Sequence, residues 1–211
     1  MSRVLVLSPH PDDESIGCGG TLRRHVLKGD VVRVIFLTSG EKGGHGLPPE
    51  KTGPVREKEA EKAARILGLQ KTEFWRQADG MLRISNKLVA RLRRILEKWL
   101  PDVLYVTHAK EMLPDHRAAA RLVRRALRKM IRGFKIPDVL MFEVWTPIQK
   151  TDVIVDISAH VRAKTAAIRS YQSQCKFVGF DEAALGLSRY RGELYSWPGG
   201  DYAEVFERMP I

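Results

Sequence analysis

The chain is short of sulfur and has no long apolar run. Only two cysteines, Cys18 and Cys175, stand among its 211 residues. Two cysteines build no disulfide framework, and no Cys-x-x-Cys pair or zinc-finger spacing occurs. A reducing cytoplasm is the expected setting. No apolar stretch approaches the ~20 residues of a membrane span, so none is expected. The opening MSRVLVLSPH holds a short apolar run soon broken by polar residues, which predicts no signal peptide. Internal repeats, low-complexity linkers and breaks in composition are missing as well. A single domain over residues 1–211 is therefore expected.

Acidic residues are also outnumbered, and the formal net charge is +11. Such a balance can signal a nucleic-acid partner. Here, however, RLRRILEKWL and RLVRRALRKMIRG alternate basic and apolar residues at helical spacing. They read as solvated faces of amphipathic helices. No RNP-type aromatic motif and no helix-turn-helix pair accompanies them, so no nucleic-acid partner is expected. The remaining uses of this charge are attraction of an anionic substrate and contacts in a homo-oligomer.

Strand and helix patterns alternate along the chain. RVLVLS (3–8) reads as a buried strand, followed by a helix from Glu14 to Lys28 and a second strand in GDVVRVIFLTSG. EKGGHGLPPEKTGP (41–54) reads as a loop, a candidate lid over substrate or an ordinary surface loop. VREKEAEKAARILG is an amphipathic helix closed by Gly68. KTEFWRQADG holds a short strand and turn. Ser85 caps a helix that Pro101 ends. DVLYVTH is a strand, and PDHRAAARLVRRALRKMIRG a helix. PDVLMFEVW and TDVIVDIS are two more strands, and AHVRAKTAAIRSYQSQ a helix. The tail GLSRYRGELYSWPGGDYAEVFERM mixes short elements. This order predicts an α/β fold, a sandwich around a largely parallel central sheet. Binding residues in such sheets collect at the carboxyl ends of strands.

Three polar clusters fall at those ends, and SPHPDDESIGCGG (8–20) is the densest. A catalytic zinc takes three protein ligands from His, Asp or Glu and keeps a fourth position for water. His10 and Asp13, three apart around a strand-to-helix turn, can face one ion, and His116 in PDHR supplies a third ligand from another loop. Asp12 between the first two is placed to take a proton from water. The plain alternative is that Asp12, Asp13 or Glu14 caps a helix. Asp115 is either a helix cap or a carboxylate bonded to a nearby histidine. His45 carries little weight as a ligand, and His25 and His160 read as structural. Cys18 reads as packed. Trp75, Trp145 and Trp197 are sugar-stacking candidates or core residues.

SPHPDDESIGCGGTL resembles the signature of the PIG-L/LmbE-type deacetylases, zinc-dependent N-deacetylases of N-acetylglucosamine conjugates. LTSGEKGG, VREKEAEKAARILG, ADGML, LPDHRAAA, KTAAIRSYQSQ and YAEVF resemble later segments of that family in the same order. The resemblance implies a Rossmann-like three-layer sandwich. It implies His10, Asp13 and His116 as zinc ligands, with ferrous iron as the alternative ion. It implies Asp12 as general base, and Arg56 and Asp79 as contacts to an amino-sugar conjugate. One departure stands out. Many members read His-Pro-Asp-His where this chain reads Leu113-Pro114-Asp115-His116. The missing histidine stabilises the oxyanion or protonates the leaving amine, and His108 is the nearest substitute. The alternatives are an amidase acting on a non-sugar or thiol-conjugate metabolite, and a basic nucleic-acid-binding protein with a vestigial metal site.

Overall fold

A computed structural model of the chain describes residues 1–130, 134–195 and 200–210. Its centre is a seven-stranded sheet. In chain order the strands are β1 (Arg3–Ser8), β2 (Val31–Thr38), β3 (Lys71–Gln77), β4 (Val103–Thr107), β5 (Asp138–Phe142), β6 (Val153–Asp156) and β7 (Ala203–Arg208). They lie in the order β3-β2-β1-β4-β5-β7-β6. The first five run parallel to one another, and β7 runs antiparallel between β5 and β6. The chain runs outward from β1 through β2 to β3, then returns to β4 on the far side of β1. That reversal leaves a crevice between the carboxyl ends of β1 and β4, where α/β sheets bind ligands.

The helices are α1 (Asp13–Leu27), α2 (Pro49–Leu67), α3 (Asn86–Trp99), α4 (Pro114–Arg128), α5 (Val161–Arg169), α6 (Gln172–Cys175) and α7 (Phe180–Tyr195). Alternate side chains of each strand serve opposite faces of the sheet. Leu5, Leu7, Ile35 and Leu37 meet Leu92 and Leu96 of α3 and Leu122 and Val123 of α4. Val4, Val6, Val34 and Phe36 meet Leu22 of α1, Ala63 and Leu67 of α2, and Ala167 of α5. Two apolar layers with one sheet between them make the three-layer α/β sandwich that the alternating patterns predict.

Three segments differ from expectation. α2 begins at Pro49, so the last residues of the expected loop are helical. Pro49 occupies the first helical turn, where its missing N–H costs nothing. Pro54 lies inside the helix; the carbonyl it leaves without a helical partner belongs to the exposed Glu50. The tail carries one 16-residue helix, α7, and the strand β7 rather than a mixture of short pieces. The helix expected over 159–174 divides into α5 and α6, with Tyr171 at ψ 61 between them. Ser85 does cap α3, its side chain accepting from the Leu88 N–H at 3.1 Å.

The glycines after the acidic cluster let α1 lie close to its neighbours. A Cβ at Gly17 would come within 2.2 Å of the Phe142 ring, and one at Gly20 within 2.7 Å of Ile157. α1 is also kinked at Cys18 (φ −144, ψ 16), which frees backbone groups inside the protein. The Glu204 carboxylate accepts from the Gly20 and Thr21 N–H groups at 2.9 and 2.7 Å. The Lys164 ammonium donates to the Ile16 carbonyl at 2.7 Å and to Glu204 at 2.6 Å. Lys164 and Glu204 are buried. Removing one partner of a buried ion pair strands the other charge. Lys164→Met should therefore cost about 3–5 kcal/mol, read as a lowered urea midpoint at unchanged slope.

Candidate metal centre

The chain reaches the crevice through the turn that joins β1 to α1. Its backbone is pinned at several points. The Thr38 N–H and hydroxyl both donate to the Pro9 carbonyl at 3.0 Å. The Ser8 hydroxyl donates to the His10 carbonyl at 3.0 Å, and the His10 N–H donates to Asp13 Oδ2 at 2.9 Å. Asp12 sits at φ 121, outside the comfortable range of an L-residue. Such a conformation costs roughly 1–3 kcal/mol and persists only where the surroundings fix it. Here Arg56 donates to the Pro11 carbonyl at 2.6 Å and to Asp12 Oδ2 at 2.8 Å. Glu14 Oε2 accepts from the Asp12 N–H at 3.2 Å. Glu14 is held in turn by the Tyr171 hydroxyl at 2.6 Å.

From this turn and the first turn of α4, three side chains converge. His10 Nδ1 lies 3.2 Å from Asp13 Oδ2 and 3.2 Å from His116 Nε2. His116 Nε2 lies 3.2 Å from Asp13 Oδ2. The three donor atoms form an equilateral triangle. Donors at the corners of a tetrahedron around an ion at roughly 2.0 Å lie roughly 3.3 Å apart, so one ion fits all three. His116 supplies a second sign of fit. Its Nδ1 is buried without a hydrogen-bond partner, and Glu111 Oε2 stands 3.7 Å from it. With Nε2 on an ion, Nδ1 carries the proton and faces that carboxylate.

Around the triangle stands a ring of carboxylates. His10 Nε2 is 3.1 Å from Asp79 Oδ1 and 3.4 Å from Asp115 Oδ2. An Nε2–H shared with these acceptors leaves the Nδ1 lone pair for the ion. Asp115 also accepts from the Gly80 and Leu82 N–H groups at 2.7 and 3.0 Å, and Asp79 from the Lys42 N–H at 2.8 Å. The titration of the site follows from this crowding. Burial opposes ionisation of Asp13, yet His116 and His10 hold its carboxyl well below the usual range. Burial likewise opposes a charge on His10, but bonds to Asp115, Asp13 and Asp79 raise it well above the ordinary imidazole value. Burial pushes the Asp12 carboxyl up to about 7, against the pull of Arg56.

The residues expected from sequence divide into those that gather at the crevice and one that does not. His10, Asp12, Asp13, Arg56 and Asp79 line one cavity of about 280 Å³, with His116 bonded beneath it. The Arg56 guanidinium is spent on Asp12, Pro11 and Gly40, and Asp79 on His10 and Lys42. Both hold protein groups while lining the cavity. His108 is the one that stands apart. It is buried, it does not line the cavity, and both ring nitrogens are engaged: Nε2 donates to the Thr146 carbonyl at 2.7 Å, and Nδ1 accepts from the Lys110 N–H at 3.3 Å. Asp115 does not cap α4, where Leu113 holds the N-cap position. Trp75 is in the core and Trp145 lines the cavity, while Trp197 lies outside the described residues. His45 stacks on Phe177 at 4.2 Å, and Gln174 donates to the Gly43 carbonyl at 2.9 Å. Both contacts tie the 41–48 loop to α6 and the turn after it. His25 bridges Asp30 and the Tyr105 hydroxyl. Glu111 escaped the sequence reading. Its one signal was an acidic residue between two histidines in HAKEMLPDH.

An α/β sheet with a metal-fitting His/Asp triangle at its switch point defines the class. Residues 5–127 match the family described as PIG-L, GlcNAc-PI de-N-acetylase, and the chain belongs to that family. It is similar to the conserved protein TT1542 from Thermus thermophilus, at 33% identity and TM-score 0.85, covering 100% of this chain and 96% of that one. It is 28% identical to the diacetylchitobiose deacetylase of Thermococcus kodakarensis over 82% of this chain and 70% of that protein. It also resembles GalB, the 4-carboxy-2-hydroxymuconate hydratase of Pseudomonas putida KT2440, at 25% identity and TM-score 0.89, covering 100% and 98%. Among the described residues no helix is long and apolar enough to cross a membrane.

Metal analysis by plasma mass spectrometry checks the triangle. His116→Ala and Asp13→Ala should each abolish stoichiometric metal in the purified protein. Glu111→Gln should leave the donors in place and weaken affinity by about 10–100-fold.

Proposed function

We propose that this chain is a zinc-dependent hydrolase that removes the acetyl group from an N-acetylglucosamine-containing conjugate. The observation that carries this reading is the 3.2 Å triangle of His10, Asp13 and His116 beside the buried carboxylate of Asp12. Zinc suits two imidazoles and one carboxylate; ferrous iron is the ion the same set would take in its place. When bound, the ion supplies Lewis acidity that lowers the pKa of water and polarises a carbonyl.

The remaining chemistry belongs to side chains. Asp12 takes the proton of the attacking water, and Arg56 keeps its carboxylate aimed into the cavity. Asp79 and Asp115 hold His10 in the tautomer that offers Nδ1, and Glu111 faces the outer nitrogen of His116. The polar end of the cavity, with Lys42, Gly43 and Gln174, takes the sugar hydroxyls. Leu113 lines the cavity and offers no proton, so the departing amine receives its proton from Asp12. Support for an amino-sugar substrate comes from the family description and from the diacetylchitobiose deacetylase relative.

A second reading follows from GalB together with Leu113. Water activated at the same centre would add across an unsaturated carboxylate, with no amine to protonate. Amine release from a panel of N-acetylglucosamine conjugates separates the two from loss of ultraviolet absorbance by an unsaturated dicarboxylate. For the proposed hydrolysis, Asp12→Ala should retain zinc and lower kcat by about 10²–10⁴-fold. Loss of zinc and activity together would move Asp12 into the donor set.

A further inference from the structure

A second cavity of about 360 Å³ lies beside the metal cavity, and Ile16, Val144, Trp145 and Phe180 line both. Its other walls are largely apolar, with Val178, Ala183, Ala184 and Leu187 contributed by α7 and the turn before it. The charged groups at its edge are already closed on protein partners. Lys164 is paired with Glu204 at 2.6 Å. Glu143 accepts from Arg191 at 3.1 and 2.7 Å and from the Ile148 N–H at 2.6 Å. None of these side chains has a buried polar atom left without a partner. An occupant therefore needs no hydrogen-bonding groups, only apolar surface to bury. Apolar side chains continue to the rim, where Trp145 is 42% and Val178 38% exposed.

The metal cavity itself has two unlike ends. Lys42, Gly43, Asp79 and Gln174 make one end polar, and the four shared residues make the other apolar. An amide held at the triangle carries its sugar on one side and its acyl group on the other. With the sugar at the polar end, the acyl group points toward Ile16, Val144, Trp145 and Phe180, the apolar residues that the two cavities share.

We infer that the second cavity receives the acyl chain, and that the same hydrolysis extends beyond acetyl to N-acyl amino sugars with longer linear acyl groups. This inference rests on the hydrolase reading above and deepens it. In the reaction a water oxygen bonds to the acyl carbon and the carbon–nitrogen bond breaks. The amine leaves with a proton, and the fatty acid departs as its carboxylate.

The test combines binding with turnover. Acetate, butanoate and octanoate are titrated into the metal-loaded protein by calorimetry. In parallel, kcat/KM is measured for N-acetyl-, N-butanoyl- and N-octanoylglucosamine, and affinity for methyl and octyl N-acetylglucosaminides. Octanoate should bind at least about 30-fold more tightly than acetate, since several methylenes leave water. N-octanoylglucosamine should be preferred over N-acetylglucosamine by a similar factor. Ala183→Trp and Val178→Trp, at exposed positions that line the cavity, should each reduce both ratios toward one. Octanoate binding no tighter than acetate overturns the inference. So does a gain confined to the octyl glycoside, or a gain that both folded tryptophan variants retain. Tight octanoate binding without hydrolysis of any amide leaves the chain cavity standing and removes the hydrolase reading instead.

Discussion

Two imidazoles and a carboxylate brought within 3.2 Å of one another, in a buried crevice, set the terms for the carboxyl edge of the sheet. Assembling that much polarity in such a place is costly unless each group is fixed by others. β1 and β4 must be parallel neighbours, so that the turn after one and the helix after the other open on the same crevice. The turn after β1 must also be tight enough to present His10 and Asp13 to one point. That tightness drives Asp12 to φ 121, and Arg56 and Glu14 are spent on holding it there. The strained residue and the buried arginine are thus two consequences of one geometric demand.

A second layer of buried charge braces the first from behind. Tyr171 holds Glu14, while Lys164 and Glu204 fill the break in α1 at Cys18. These braces come from the carboxyl-terminal third of the chain, beyond the residues 5–127 that match the family. The same third supplies Val144, Trp145, Phe180 and most of the apolar cavity beside the metal donors. The labour is divided along the sequence: the matched part holds the donors, and the remainder shapes what lies next to them.

Much of the fold was readable because the relevant signals are local. Near-continuous apolar runs such as RVLVLS mark strands buried on both faces, and Ser85 and Gly68 mark helix ends by their own side-chain and backbone chemistry. Gly and Pro misled where packing overrides propensity, as at Pro49 and Pro54 in α2 and at Gly186 and Gly192 in α7. Of the site, His10, Asp12 and Asp13 were visible as a dense acidic and histidine cluster after a strand, His116 as a histidine after a later strand, and Arg56 and Asp79 only through the family resemblance. Their partners were not. Tyr171 reaches Glu14 across 157 residues of chain, and Glu204 reaches Gly20 across 184, through contacts no periodicity encodes. Glu111 is close to His116 in sequence, but only the folded turn aims it at the outer nitrogen. His108 is the opposite case. It stands at a strand end like a functional residue, but both of its nitrogens are used to fix the 108–111 and 143–146 turns.

With His108 turned away, Leu113 becomes the informative position. Under the proposed reaction a histidine there would assist the leaving amine, an effect of about 10²–10⁴-fold. With leucine there, the proposed mechanism leaves Asp12 to carry the proton in both directions, and the apolar lining of the metal cavity gains one side chain. Leu113 thus supplies no acid and adds a surface that repels water. Both features act in the same sense as the inferred acyl cavity: they would favour a substrate positioned by burial of its chain over one gripped by additional polar contacts. Catalysis then depends less on a second titrating group and more on how firmly the amide is held against Asp12 and the donor triangle.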